Sequence, residues 1–580
     1  MKIHKVTSFL TFPNSKASDQ KKILVNFFLY YGLRIFVIIY AIIRLCLINV
    51  YLGVANLGLL NIMMLIAPIS LFLISSCQAK SNFILYKYTL RHDYQSLNRL
   101  INNQIKEMRL YSFLSLFLLG IIMTISYFFV NSPGISHFTA CLLVLGNSVG
   151  TLSFGLVLPY VAWYLNSLYL NYITDFWEIS FATLLNIIVF IIIPLFGIHI
   201  IIFPHATYEQ GSTYIVLIIA FLLSIRFLFV NIILNLAKKK YMPWFKKEKK
   251  VKIALFSKNN LGYVSSEFLS ILAISITPLV FFILSTFIHL STSISGIYYS
   301  YVNFVLIIGL ISWAINAIKP YLAKFIINNS KIDIYKLNRI ISFVFIYLTI
   351  ILLVNFIMIA PYIMIFVKSY FNFWIAFLIG MCTVMTSIKG VEEAFIYLDG
   401  RPEKYWKLTL YEIIVGAISL IISIFVVFYV PSFKENIINL LYALIFSELC
   451  MRISKYIFNI IYLNRFVYNC SFKKFFHDYW LIYLFIFLAL LTIILVIAVS
   501  PYISNLTNTF TINYHLPLYS YEAIDNLFND NIHLINYGNI FLSLILVNCG
   551  FIASIIVFIK IFNPTLKNGI FNVINYVRFS

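Results

Sequence analysis

Three arginines stand inside apolar runs of membrane length: Arg34 and Arg44 in the first run, Arg226 in the sixth. A guanidinium in hydrocarbon costs roughly 2.5–3.5 kcal/mol on insertion scales, so each one needs a reason. None has an acidic residue three or four positions away, which excludes an ion pair within its own helix. Arg34 and Arg44 are ten residues apart, about 15 Å along a helix and about 80° around it. They could therefore line one side of a cavity at two depths. Arg226 lies about midway along its run, roughly 20 Å from one end. A planar guanidinium holds phosphate bidentately and keeps its charge on burial, so the chemistry on offer is capture of a phosphate-like anion. The competing reading has Arg34 and Arg44 snorkelling to opposite membrane faces. In it, Arg226 pairs with a glutamate on another helix, Glu267 being the candidate.

Other charges near the apolar runs have partners close in sequence. Lys389 precedes Glu392 by three residues and Glu393 by four, and Glu448 precedes Arg452 by four. That spacing puts each pair on one helix face, so they read as structural pairs before they read as ion-coupling groups. Glu267 and Glu412 fall near the expected inner ends of helices, in reach of water. Pro68, Pro159, Pro194, Pro278 and Pro361 would kink or open helices, as a rocking transporter or any large bundle requires. Five of the seven cysteines (Cys46, Cys77, Cys382, Cys450, Cys549) lie in apolar runs, and no C-x-x-C or Cys/His spacing occurs. Neither a metal, nor another cofactor, nor a disulfide framework is expected. A nucleotide-driven pump is excluded by the missing G-x-x-x-x-G-K-[ST] pattern, and H-E-x-x-H and G-x-S-x-G are missing too.

The elements that must position these residues follow from composition. The chain is 62% hydrophobic and 11% charged, with mean hydropathy +0.94. No soluble domain of 580 residues covers that much apolar surface. Long uninterrupted apolar runs give helices, not barrel strands. The expected fold is thus an all-α polytopic membrane protein of fourteen spans, near 28–50, 57–77, 110–130, 138–162, 179–203, 213–237, 263–288, 294–317, 340–366, 372–398, 409–430, 437–463, 479–501 and 538–562. With the N-terminus inside, 37 of the 42 Lys and Arg fall in inside segments and two, Lys368 and Lys434, outside. Both ends are therefore expected in the cytoplasm, and the net charge of +22 is an orientation signal rather than a nucleic-acid footprint. The first residues lack a small-residue cleavage site, so the N-terminus is expected to be retained.

The expected organisation is a first lobe at 1–237 and a basic linker at 238–262, holding K-K-K-Y-M-P-W-F-K-K-E-K-K. A second lobe follows at 263–463 and an appended pair of spans at 464–580. Gly58 and Gly296 each open a span that ends in a lysine, Lys80 and Lys319, a weak mark of repetition between lobes. The amphipathic segment 78–109 is expected along the inner leaflet or capping the bundle. The long outside loop 502–537 holds Glu522, Asp525 and Asp530 and no Lys or Arg. Its N-L-T at Asn505 matches a glycosylation acceptor by a pattern too short to weigh.

The basic N-terminus, the Arg-bearing first span, the joint Tyr51-Leu52-Gly53-Val54-Ala55-Asn56-Leu57-Gly58-Leu59-Leu60-Asn61 and the basic amphipathic segment resemble Wzx-type polysaccharide-unit flippases. These belong to the multidrug/oligosaccharidyl-lipid/polysaccharide exporter superfamily. The resemblance implies two six-helix lobes around a central cavity, with two C-terminal helices guiding a lipid tail. It implies alternating-access transport of an undecaprenyl-pyrophosphate-linked oligosaccharide to the outer leaflet of a bacterial cytoplasmic membrane. Arg34 or Arg44 would contact the pyrophosphate, and membrane lipids and polysaccharide-assembly proteins such as a polymerase would be partners. The loop 502–537 is long for such proteins. Two rivals remain: a cation-coupled drug antiporter of the same superfamily, which would want acidic cavity residues, and a membrane polysaccharide polymerase or ligase. Outside, the chain has two lysines and one modest acidic loop, which argues against catalysis there.

Overall fold

The computed structural model describes residues 19–66, 72–129, 159–168, 170–204, 207–247, 262–273, 293–366, 373–398, 405–429 and 438–470, with single positions at 138, 141, 142, 145, 280, 545, 548 and 549. Among the described residues every regular element is helical. Backbone in lipid must satisfy its own N–H and C=O groups, and a helix does so within one segment. The N-terminal tail, Pro68, Pro278, the linker beyond residue 247, most of the appended spans and the loop 502–537 lie outside the described residues.

The first lobe holds α1 (Asp19–Tyr51), α2 (Val54–Ile66), α3 (Phe72–Leu90), α4 (Tyr94–Phe129), α5 (Pro159–Ser167), α6 (Asn171–Gly197) and α7 (Tyr208–Tyr241). The second holds α8 (Ser293–Asn328), α9 (Lys331–Phe366), α10 (Phe373–Leu398), α11 (Tyr405–Tyr429) and α12 (Ile438–Tyr462), which ends in a π-turn, Leu463–Tyr468. Seven helices among the described residues are long and apolar enough to cross a membrane, so the chain is a multi-pass membrane protein. Several helices outrun the bilayer: α4, at 36 residues, is about 54 Å long. Local chemistry sets their ends. Gly53, at φ +87°, makes the turn between α1 and α2. Asp93 caps α4 by accepting from the Ser96 amide at 3.0 Å, and Ser96's side-chain and backbone hydrogen bonds hold its carboxyl below the usual range. Thr207 and Gln210 form a reciprocal capping box on α7.

The bundle has a turn end, carrying the α1–α2 joint, and a basic end, where α7 and α10 finish. Toward the turn end both lobes share one apolar core, in which Leu45, Ile48 and Leu57 meet Tyr301, Phe304 and Ile350. Toward the basic end the core divides. One cluster gathers Leu97, Ile101, Val161 and Leu234 of the first lobe; the other gathers Leu322, Ala323, Phe395 and Leu463 of the second, with Tyr86 reaching across to it. The glycines that mark the repeat sit at the shared end. A Cβ on Gly296 would run into the Val54 carbonyl and side chain, and Ser295 Oγ donates to the Gly58 carbonyl at 3.4 Å. Close backbone approach of this kind is what small residues permit between membrane helices.

The segment 78–109 is the end of α3, a turn at His92 and the start of α4, and it buries Leu85, Leu97 and Ile101 in the first-lobe core. The linker is part helix and part strap. Lys238–Lys240 finish α7, and 242–247 docks back on the lobe: the Lys246 amide donates to Asn98 Oδ1 at 2.8 Å, and Trp244 packs between Tyr94 and Tyr164. Asn548, a described residue of the appended region, exchanges hydrogen bonds of 3.0 and 2.8 Å with Asn355.

Candidate functional site

All three arginines meet α6. Helices α1 and α6 run parallel, so the ten-residue step from Arg34 to Arg44 matches the eleven-residue step from Asp175 to Asn186. Arg34 Nη2 lies 3.5 Å from Asp175 Oδ1, and Arg44 Nη1 donates to Asn186 Oδ1 at 3.3 Å. From α7, Arg226 Nε approaches Glu178 Oε1 at 3.8 Å. The result is a ladder of guanidiniums rising from the basic end toward the shared core, with α6 as its upright.

The rungs differ in charge. Arg34 and Arg226 face carboxylates on a neighbouring helix, each pair part-exposed. The alternative partner for Arg226, Glu267, lies elsewhere: it takes the Tyr397 hydroxyl at 3.4 Å, beside Lys319. Arg44 has only neutral partners among the described residues, Asn186 and the Tyr299 hydroxyl, and it feels the positive charge of Arg226. Tyr299 belongs to α8, so Arg44 sits at the seam between lobes. Arg34 and Arg44 both turn to α6.

The second lobe holds a different kind of cluster. Glu412 is buried, not water-accessible as its place near a helix end suggested. It accepts Lys389 Nζ at 3.0 Å, Lys455 Nζ at 3.3 Å and Arg452 Nη1 at 3.4 Å. Glu448 holds Arg452 at 3.3 Å as an i,i+4 pair and accepts from Tyr298 Oη at 2.9 Å. Glu393 holds Lys389 at 3.8 Å, whereas Glu392 turns away and accepts from Asn338 and Ser342. Charges here are opposed and desolvated, which makes the network stabilising only while complete. Lys389, Arg452 and Lys455 are all buried in it. Among the described residues no group of His, Cys, Asp or Glu could hold a metal.

Asp175, Glu178, Asn186 and Tyr299 escape sequence reasoning aimed at single helices. One signal points to the acids: 163–178, an inside segment on the expected topology, has no Lys or Arg, yet it carries both.

No protein-family model matches the chain, and no curated protein matches it significantly. Solved structures do. The chain is similar to the MATE multidrug transporter DinF-BH, at 11% identity over 79% of this chain and 98% of that one, with a TM-score of 0.51. The lipid II flippase MurJ in an inward closed conformation gives 17%, 91%, 100% and 0.48 on the same measures. A MOP superfamily transporter from Pyrococcus furiosus gives 12%, 78%, 98% and 0.47. At these identities the likeness concerns fold: the chain shares the helical architecture of DinF-BH across nearly all of that protein's length.

Proposed function

We propose that the chain is a flippase for a pyrophosphate-linked lipid carrying an oligosaccharide, working by alternating access in a bacterial cytoplasmic membrane with both termini inside. The observation that carries this reading is Arg44, a cation at the lobe seam whose partners among the described residues are neutral. Desolvated charge without a counter-charge is unfavourable, and an incoming phosphate supplies the counter-charge. Arg226 and Arg34 extend the same positive path toward the basic end, from which an inner-leaflet headgroup would enter. The shared core at the turn end and the divided core at the basic end suit a protein closed outside and parted inside. The polyprenyl tail would stay in lipid while the sugar occupies the wet interior. Replacing Arg44 by Ala should trap lipid-linked units in the inner leaflet with normal protein level; unchanged surface polysaccharide would refute the site.

A second reading, an antiporter for organic cations, has beside it only the fold likeness to the MATE multidrug transporter DinF-BH. A ladder of arginines would repel such a substrate. Resistance to cationic dyes that depends on this protein and survives loss of Arg44 would decide for the antiporter.

A further inference from the structure

We propose that Asp175 and Glu178 are placeholder anions, which hold Arg34 and Arg226 between substrates and yield them to the phosphate oxygens of the incoming headgroup. This rests on the anion-site reading above and assigns a role to two residues outside it.

The geometry separates exchangeable pairs from permanent ones. Around Glu412 the ion pairs are 3.0–3.4 Å long and every side chain is under 10% exposed. Breaking one would strand a charge in a dry core. The Arg34–Asp175 and Arg226–Glu178 pairs are 3.5 and 3.8 Å long, with side chains 14–32% exposed. Longer pairs that solvent partly reaches separate more readily than the dry ones around Glu412. Both acids also project from one helix within a turn of each other, so a single bound group could compete for both guanidiniums. Charge gives the reason for keeping them. An empty carrier that resets with three bare guanidiniums in a low-dielectric interior bears the full desolvation cost of each. Two internal carboxylates cancel two of the three charges, and the remaining one, on Arg44, still attracts the next anion. A phosphate then displaces the carboxylates because its oxygens offer each guanidinium short bidentate contacts.

The test is titration of the purified full-length protein in nanodiscs with two probes, inorganic pyrophosphate and farnesyl pyrophosphate. Asp175→Asn and Glu178→Gln should each tighten binding by roughly two- to fivefold, the scale of one part-exposed ion pair. Glu178→Asp, which keeps the charge, should bind like the parent and controls for folding. Tightening for both probes identifies the phosphate group as the competitor; tightening for farnesyl pyrophosphate alone makes the lipid-bound form the ligand. Unchanged or weaker binding in both amide variants, with binding still lost in Arg44→Ala, overturns the placeholder role and leaves the anion site standing. Binding that survives Arg44→Ala overturns both.

Discussion

The Arg44 guanidinium donates to Asn186 Oδ1 at 3.3 Å, and its charge meets no carboxylate among the described residues. Asn186 in turn is anchored by its own amide donating to the Ala182 carbonyl at 2.7 Å, so the acceptor is preset in position. An amide that orients a guanidinium without neutralising it keeps the cation available to a ligand. Replacing Asn186 by Asp should supply the missing counter-charge. Transport of the anionic lipid is expected to fall at least tenfold, while thermal stability holds or rises. The paired measurement is surface polysaccharide against melting temperature; undiminished transport in Asn186→Asp would show that the charge on Arg44 is not used.

Removal of Glu412 should be a stability phenotype. Three cations converge on its carboxylate within 3.4 Å, and losing it leaves them buried and uncompensated. Glu412→Gln is expected to cost about 3–5 kcal/mol, whereas Glu178→Gln should cost at most about 1 kcal/mol. Thermal unfolding in detergent ranks the two; equal losses would contradict the division into permanent and exchangeable pairs.

How much of this was legible in the sequence depends on whether a relationship stays within one helix. The Glu448–Arg452 pair was readable because four residues along a helix place both on one face. Arg34, Arg44 and Arg226 stood out because their own helices offered nothing. Their partners were hidden because 141 and 142 residues separate Arg34 from Asp175 and Arg44 from Asn186. Only the parallel packing of α1 on α6 joins them. Glu412 misled for the same reason: nearness to a helix end suggested water, but its three cations arrive from two other helices. Gly58 and Gly296 were recognisable as a repeated mark, though not as the place where the two repeats touch.

Adding bulk at Gly296 should part the lobes at the turn end. The position has no room for a side chain against Val54. Gly296→Val is expected to raise the labelling rate of a cysteine placed at Ser295, buried at this seam, by an impermeant maleimide. An unaltered rate would mean the contact is not a seal.

The Asn355–Asn548 exchange should hold the appended region on α9. Hydrogen bonds between membrane helices contribute roughly 1–2 kcal/mol. Asn355→Leu and Asn548→Leu should each lower the melting temperature, and the double variant should be no worse than either alone. Additive losses would show that the two amides act separately.

The most direct measurement is leaflet exchange in reconstituted vesicles, with a polyprenyl-pyrophosphate-linked sugar as cargo. The parent protein should move the headgroup across the bilayer, and Arg44→Ala should not, though it reconstitutes equally well. Movement at the parental rate by Arg44→Ala, or none by the parent protein, would contradict the assignment of this ladder of arginines to an anionic lipid.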